Sequence, residues 1–308
     1  MLECETVSME SPLVINDVFR ASMLRAPLRC TDMDDWHGHM PFAFWCVEAL
    51  APRVFVELGC RKGDSYCAFC QAVDELSMDT RCYAVDTWRG DEHTGFYDDG
   101  VYQELRRHHD PRFGRFSQLI RSTFDEARGR FPDGGVDLLH IDGLHLYEAV
   151  KHDFESWLPK MSRRGAVLFH DIVTREGNVG VWRLWEELEK RYPSFAFLHS
   201  NGLGVLAVGP DPPEPLRHLT GLDPATRDEV RTLFSRLGDA VRYDVTRRVN
   251  VQLRDQVVRQ EQQIAVLESE SHELRRAREA LLQSSSWRLT RPLRFVASLL
   301  GRGVRSST

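Results

Sequence analysis

The 308-residue chain contains no run of about 18 apolar residues, the length a membrane-spanning helix needs, so no such helix is expected. Its opening residues, Met-Leu-Glu-Cys-Glu-Thr-Val, have neither a basic start nor an apolar stretch, so no secretory leader is expected. A large excess of either charge is lacking too, with 40 basic against 46 acidic residues. With a net charge of −6, nucleic acid is not expected as a partner. Seven cysteines, an odd number without framework spacing, fit a reducing cytoplasm rather than a disulfide scaffold. Cys67-Ala-Phe-Cys70 has the spacing of a redox or zinc pair. However, no second pair follows at zinc spacing, and both fall in a helical run, so core-facing cysteines are expected. With 42% hydrophobic and 28% charged residues, the chain has a normal core for one large α/β domain plus an appendage, or for two domains.

Apolar runs alternate with helical patterns through the middle of the chain. Strands are expected at 54–58, 82–86, around 116–120, 136–141, 166–170, 195–199 and 203–208. Helices are expected at 64–76, 101–109, 123–130, 145–158 and 180–191, with Arg164-Gly165 as a turn. This order predicts an α/β fold with a doubly wound, mainly parallel Rossmann-like sheet that closes with an antiparallel hairpin. A helical stretch, Val14 to Leu24, and an amphipathic helix from His39 to Leu50 precede it. Asp32-Met-Asp34 reads as an acidic helix-capping patch rather than a metal-binding pair. Trp182 to Leu188 reads as a packed helix. The stretch Trp88 to Tyr97, with Asp91, Glu92 and His93, suits an acceptor-binding lid or an ordinary surface loop. The expected divisions are an N-terminal segment (1–35), the α/β domain (36–209), a Pro-rich linker and helix (210–245), a coiled coil (246–283) and a basic amphipathic tail (284–308).

Phe55-Val-Glu-Leu-Gly-Cys-Arg-Lys-Gly-Asp-Ser65 joins an apolar run to a helix through two glycines, and Tyr83-Ala-Val-Asp-Thr87 ends the next run in a carboxylate. Glycines admit close approach of a ligand, and an acid at the next strand tip accepts both ribose hydroxyls, so this is a cradle for an adenosine cofactor. Arg61 stands where a dinucleotide loop would have its middle glycine, which disfavours a nicotinamide dehydrogenase. Two further runs end in Asp142 and in His170-Asp171, so four strand tips are expected around one crevice. His140 is read as a satisfied core histidine.

Together, Val56 to Ser65, Ala84-Val-Asp-Thr-Trp88, Leu138 to Tyr147 and Val167 to Asp171 resemble the class I S-adenosylmethionine-dependent methyltransferases, in particular the type-24 methyltransferase domain family. The resemblance covers roughly residues 36–209. It implies that Gly59 and Gly63 contact the methionine end of S-adenosylmethionine and that Glu57 holds the loop or the cofactor amino group. Ser65 lies in the same binding motif, Asp86 would bind the ribose, and Ser122 falls where the family recognises adenine. Asp142, His145, His170 and Asp171 resemble the site of metal-dependent sugar O-methyltransferases, with His170 in place of one acid. That likeness implies Asp142, His170 and Asp171 as ligands of Mg²⁺ or Mn²⁺ and His145 as the base assisted by Asp142. The alternative is a metal-free site.

From residue 250, Leu253, Gln260, Leu267, Leu274 and Leu281 recur every seven positions, with Val257 and Ile264 at the companion position. This predicts a short coiled coil and a homo-oligomer, although Asn250, Ser271 and Arg278 interrupt the companion seam. A long solvated helix that folds back on the domain is the alternative. Arg288, Arg291, Arg294, Arg302 and Arg305, with Trp287, Leu293, Phe295, Val296, Leu299 and Leu300, make the tail basic and amphipathic, suited to peripheral contact with an anionic membrane. Ser-Ser-Ser-Trp-Arg-Leu-Thr-Arg-Pro-Leu-Arg resembles the ending found after coiled coils in bacterial polysaccharide-assembly proteins, which implies a glycan acceptor at the inner membrane face. The leading expectation is an O-methyltransferase of a sugar hydroxyl. The alternatives are a small-molecule methyltransferase or hydroxylase-like relative, and a coiled-coil assembly protein whose α/β domain is structural.

Overall fold

The computed structural model describes residues 18–91 and 95–301, the side chains of 91 and 297–301 excepted. Residues 14–17 of the expected first helix, Glu92 and His93 of the expected lid, and Arg302 and Arg305 of the tail lie outside the described residues, as do the side chains of Asp91, Leu299 and Leu300.

The strands are β1 (Val54–Leu58), β2 (Arg81–Asp86), β3 (Gly90–Asp91), β4 (Gly95–Phe96), β5 (Ser117–Arg121), β6 (Val136–Ile141), β7 (Met161–His170), β8 (Ser194–Phe197) and β9 (Leu203–Ala207). Seven of them form one sheet in the order β5-β2-β1-β6-β7-β9-β8, while β3 and β4 make a small antiparallel ladder of their own. The first five of the seven run parallel, and β9 lies antiparallel between β7 and β8. The order reverses between β1 and β6, which opens a crevice at their C-terminal ends. β6 is buried at every position, as a central parallel strand covered on both faces must be.

Alternation along these strands builds two cores. Phe55, Leu138 and Leu168 face helices α1 (Met40–Leu50), α2 (Asp64–Glu75) and α3 (Gly100–Phe113). Val56, Leu58, Leu139 and Val167 face α4 (Phe124–Arg128), α5 (Tyr147–Trp157) and α6 (Val181–Leu188). Both cysteines of the Cys67–Cys70 pair are buried in the first core, as expected, and burial raises both thiol pKa values well above the ordinary range.

Several boundaries differ from expectation. Within 18–24 the chain forms a 3-10 turn, Ala21–Leu24, whose neighbour Val18 accepts the indole N–H of Trp45 through its carbonyl at 2.8 Å. α1 is not amphipathic: Met40 to Val47 are all buried, because Phe42 also meets Phe197 and Phe234 on its outer side. β7 runs through the expected Arg164-Gly165 turn as an irregularity, with Ser162 donating its hydroxyl to Asp137 at 2.5 Å. α3 continues past 109 and through Pro111, since Leu105, His109 and Phe113 bury one face.

Residues 210–245 are not a free linker. Helix α7 (Glu214–Gly221) and the start of α8 (Pro224–Gln283) bury Leu216, Leu219, Val230 and Phe234 in the first core, so the compact unit extends to Val245 rather than ending at 209. A second unit, residues 246–308, holds the rest of α8, then α9 (Ser285–Leu289) and α10 (Arg291–Gly301). Ser284 caps α9 by accepting the Trp287 amide, and the Arg294 guanidinium lies 3.5 Å over the Trp287 ring. Among the described residues no helix is long and apolar enough to cross a membrane.

Candidate active site

A cavity of about 650 Å³ opens at the C-terminal ends of β1, β2, β6 and β7 and takes in Gly59, Gly63, Asp86, Asp142 and His170. The loop after β1 is shaped by its glycines. Gly59 has φ +89°, and a Cβ there would overlap the carbonyl oxygen of Asp142, so only glycine lets the tips of β1 and β6 approach. Gly63, at φ +80°, starts α2, and a Cβ there would drive into the Leu105 side chain.

Asp86 holds this loop. One carboxylate oxygen accepts the amides of Cys60 at 2.9 Å and Arg61 at 2.8 Å, and the other accepts the Trp88 amide at 2.7 Å. Trp88 is fully buried and donates its indole N–H to the Arg61 carbonyl at 2.9 Å, so it buttresses the loop instead of forming a lid. Gly90 and Tyr97 of the same stretch do line the cavity.

Glu57 lies beneath the loop and does not line the cavity. It accepts the Ser65 hydroxyl at 2.9 Å and a hydrogen from His140 Nδ1 at 2.8 Å, which ties β1 to α2 and β6. Burial raises its pKa, against the opposing pull of His140. His140 is in the core as expected but only half satisfied, because among the described residues its Nε2 meets no partner. Ser65 lines the cavity; Ser122 does not. The Ser122 hydroxyl is engaged by Glu126, which forms a capping box with Thr123 at the start of α4, and Thr123 and Phe124 line the cavity in its place. The 31–37 segment supplies a wall that the sequence did not announce. Asp64 accepts the Thr31 amide and hydroxyl at 2.6 and 2.7 Å and pairs with His37, which places Met33, Asp35 and Trp36 against the cavity. Asp32 caps no helix but pairs with Lys62.

At the tips of β6 and β7, Asp142, His170 and Asp171 bring one ligand atom each within 4.8 Å of the others, and His145 lies beside the two acids. His145 Nε2 is 3.1 Å from Asp171 and 3.4 Å from Asp142, while His170 Nδ1 is 3.4 Å from each. Asp171 has φ +63°, the left-handed region that few non-glycine residues adopt. Burial opposes charge on all three of Asp142, His145 and His170, yet the mutual attraction wins. Asp142 is held well below the usual carboxylate range, chiefly by His170, while the acids raise His145 and hold His170 well above the usual imidazole range.

His170 Nε2 lies 3.1 Å from the Ser200 carbonyl, an acceptor only, so this nitrogen carries a hydrogen. Nδ1 therefore faces two carboxylates with either a second proton or a lone pair turned toward a cation. The Ser200 carbonyl also accepts from His39 Nε2 at 3.1 Å. Ser200, Asn201 and Gly202 all have positive φ, a turn held from α8 by Arg242, which bonds the Ser200 hydroxyl. Gly238 of α8 passes so close to Gly38 that a Cβ would strike its carbonyl. The sequence pattern showed neither contact, because both depend on residues some 40 to 200 positions apart meeting at a turn.

Residues 56–172 match a family model described as a methyltransferase domain. An uncharacterized protein of Sinorhizobium fredii (strain NBRC 101917 / NGR234) is 47% identical over 213 residues, covering 67% of this chain and 23% of that protein. The chain thus spans about a quarter of that relative's length. Among solved structures, the O-methyltransferase TomG from Streptomyces achromogenes, involved in tomaymycin synthesis and in complex with SAM, is 13% identical with a TM-score of 0.42, covering 59% of this chain and 92% of that one. The SAH-bound methyltransferase PaMTH1 of Podospora anserina is 14% identical with a TM-score of 0.40, covering 55% and 76%. Likenesses this distant carry no information about an acceptor.

Proposed function

We propose that this chain, whose residues 56–172 match a methyltransferase-domain model, is a class I methyltransferase that transfers a methyl group from S-adenosylmethionine to a hydroxyl of a sugar or glycosylated metabolite. The observation that carries the reading is the meeting, in one cavity, of the glycine loop with two carboxylates and two imidazoles. Gly59, Gly63, Ser65 and Asp86 would hold the cofactor, with Thr123 and Phe124 rather than Ser122 on its adenine side. Bound S-adenosylmethionine supplies an electrophilic methyl group whose C–S electron pair stays on sulfur as the acceptor oxygen takes the carbon.

The cluster suits a divalent cation by its chemistry: two carboxylates, and an imidazole whose Nδ1 is turned to them while Nε2 is held by the Ser200 carbonyl. Asp142, His170 and Asp171 would be its ligands, and Mg²⁺ or Mn²⁺ there supplies Lewis acidity that lowers the pKa of an acceptor hydroxyl. His145 is the residue placed to take the hydroxyl proton, and Asp142 and Asp171, 3.4 and 3.1 Å from its Nε2, would stabilise the imidazolium. The sugar acceptor rests on the resemblance of this set to that of sugar O-methyltransferases. A small-molecule acceptor uses the same groups. The basic tail, with Trp287, Leu293 and Phe295 exposed beside Arg288, Arg291 and Arg294, supports peripheral contact with an anionic membrane from a cytoplasmic location.

The test is methyl transfer to a sugar acceptor panel in excess chelator and after return of Mg²⁺ or Mn²⁺. Activity is expected to stop and return. Asp171→Ala is expected to lose activity while keeping cofactor affinity, and His145→Ala to lose about 10²- to 10⁴-fold in rate with cation affinity intact. Full activity in EDTA would reduce the cluster to a metal-free site in which His145 is positioned by Asp142 and Asp171 alone.

A further inference from the structure

We propose that residues 250–283 of two copies of this chain form a parallel, in-register, two-stranded coiled coil. α8 continues unbroken to Gln283, and beyond Val245 its apolar side chains are wet: Leu267 is 56% exposed and Leu274 71%, and Leu253, Val257, Ile264 and Leu281 are exposed in the same way. A helix of this length with an uncovered apolar seam gains little from its own backbone and needs a partner surface.

The seam itself says which partner. Leu253, Gln260, Leu267, Leu274 and Leu281 take the d positions, and Asn250, Val257, Ile264, Ser271 and Arg278 take the a positions. β-Branched residues at a with leucine at d favour two parallel strands over three or four, and a buried asparagine at a does the same while fixing register. Charge agrees. In a parallel pair each g residue meets the e residue five positions later on the other helix. Glu270 then meets Arg275 of the second copy, twice by symmetry, while Gln256 meets Glu261 and Gln263 meets Glu268, so no like charges oppose among these g–e pairs, and Arg278 at a is the one position where a charge faces its own copy. Ser271 and Arg278 weaken the seam, but three successive leucines at 267, 274 and 281 span them. A parallel coil also sends both copies of α9 and α10 out at one end, which doubles the Arg288, Arg291 and Arg294 cluster at a single surface.

Sedimentation equilibrium of the full chain tests this. A dimer is expected, and Leu267→Asp is expected to raise its dissociation constant about 100-fold or more, with the thermal unfolding of the α/β domain unchanged. Glu270→Arg or Arg275→Glu alone is expected to weaken the dimer roughly 3- to 30-fold, and the double exchange to restore it. That restoration is the signature of the parallel register. A monomer at all concentrations, a trimer, or a dimer indifferent to Leu267→Asp and to the charge reversals would overturn the proposal.

Discussion

Asp86→Ala probes the point where fold and cofactor site coincide. The carboxylate accepts three backbone amides, those of Cys60, Arg61 and Trp88, and is itself buried. A hydrogen bond to a charged acceptor contributes about 1.5–3 kcal/mol, and three sharing one side chain do not add fully, so a loss of about 3–5 kcal/mol in local stability is expected. Three of its roughly four lone-pair sites are taken by these amides, so if it also receives a ribose hydroxyl one further bond is lost, about 1.5–3 kcal/mol or roughly 10- to 150-fold in affinity. Asp86→Asn separates the effects. Its amide oxygen can keep the Cys60 and Arg61 amides, but its NH₂ then faces the Trp88 amide, donor against donor. An intermediate loss is expected. Calorimetry with S-adenosylhomocysteine reads the affinity, and hydrogen exchange of the Cys60, Arg61 and Trp88 amides reads the loop. Wild-type affinity and wild-type exchange in Asp86→Ala would refute the reasoning.

Two further perturbations follow from the geometry. Asp153 is buried at 8% exposure, and that burial, with Asp125 nearby and only His152 opposing, lifts its pKa from an ordinary 3.8 to about 7. A carboxyl raised in the fold contributes fully below its unfolded pKa and loses that contribution as pH rises to the folded one. Asp153→Asn should therefore match the parent near pH 4 and exceed it by up to about 4 kcal/mol above pH 7 in denaturant unfolding; equal stability at both ends would show that the charge is solvated. Arg242→Ala should free the Ser200 turn that orients His170, lowering Mn²⁺ affinity about 10-fold or more by paramagnetic titration while leaving S-adenosylhomocysteine affinity unchanged; an unaltered Mn²⁺ affinity would show that the turn stands without it.

The sheet was legible because its central strands are short apolar runs that end in polar tips, and those endings also mark the crevice: Asp86, Asp142 and His170 lie where the strand pattern put them. What was hidden depends on contacts between distant segments. Trp88 looked like a loop residue because nothing local shows that its indole reaches the Arg61 carbonyl. Ser122 was one residue short of the wall because the capping box at Thr123 turns its hydroxyl to Glu126. Pro210 to Pro215 looked like a linker, since Leu216 and Leu219 acquire their burial against α1, far off in sequence, and the β8–β9 edge. Arg242 could not be singled out at all among the many arginines of α8.

Calorimetric titration of the full chain with S-adenosylhomocysteine, run beside NADH, tests the central reading most directly. The Asp86-held loop, closed to a dinucleotide by Arg61, predicts one site per chain with a micromolar dissociation constant for S-adenosylhomocysteine and no heat from NADH. Binding of NADH in place of S-adenosylhomocysteine, or saturation by neither, would contradict it.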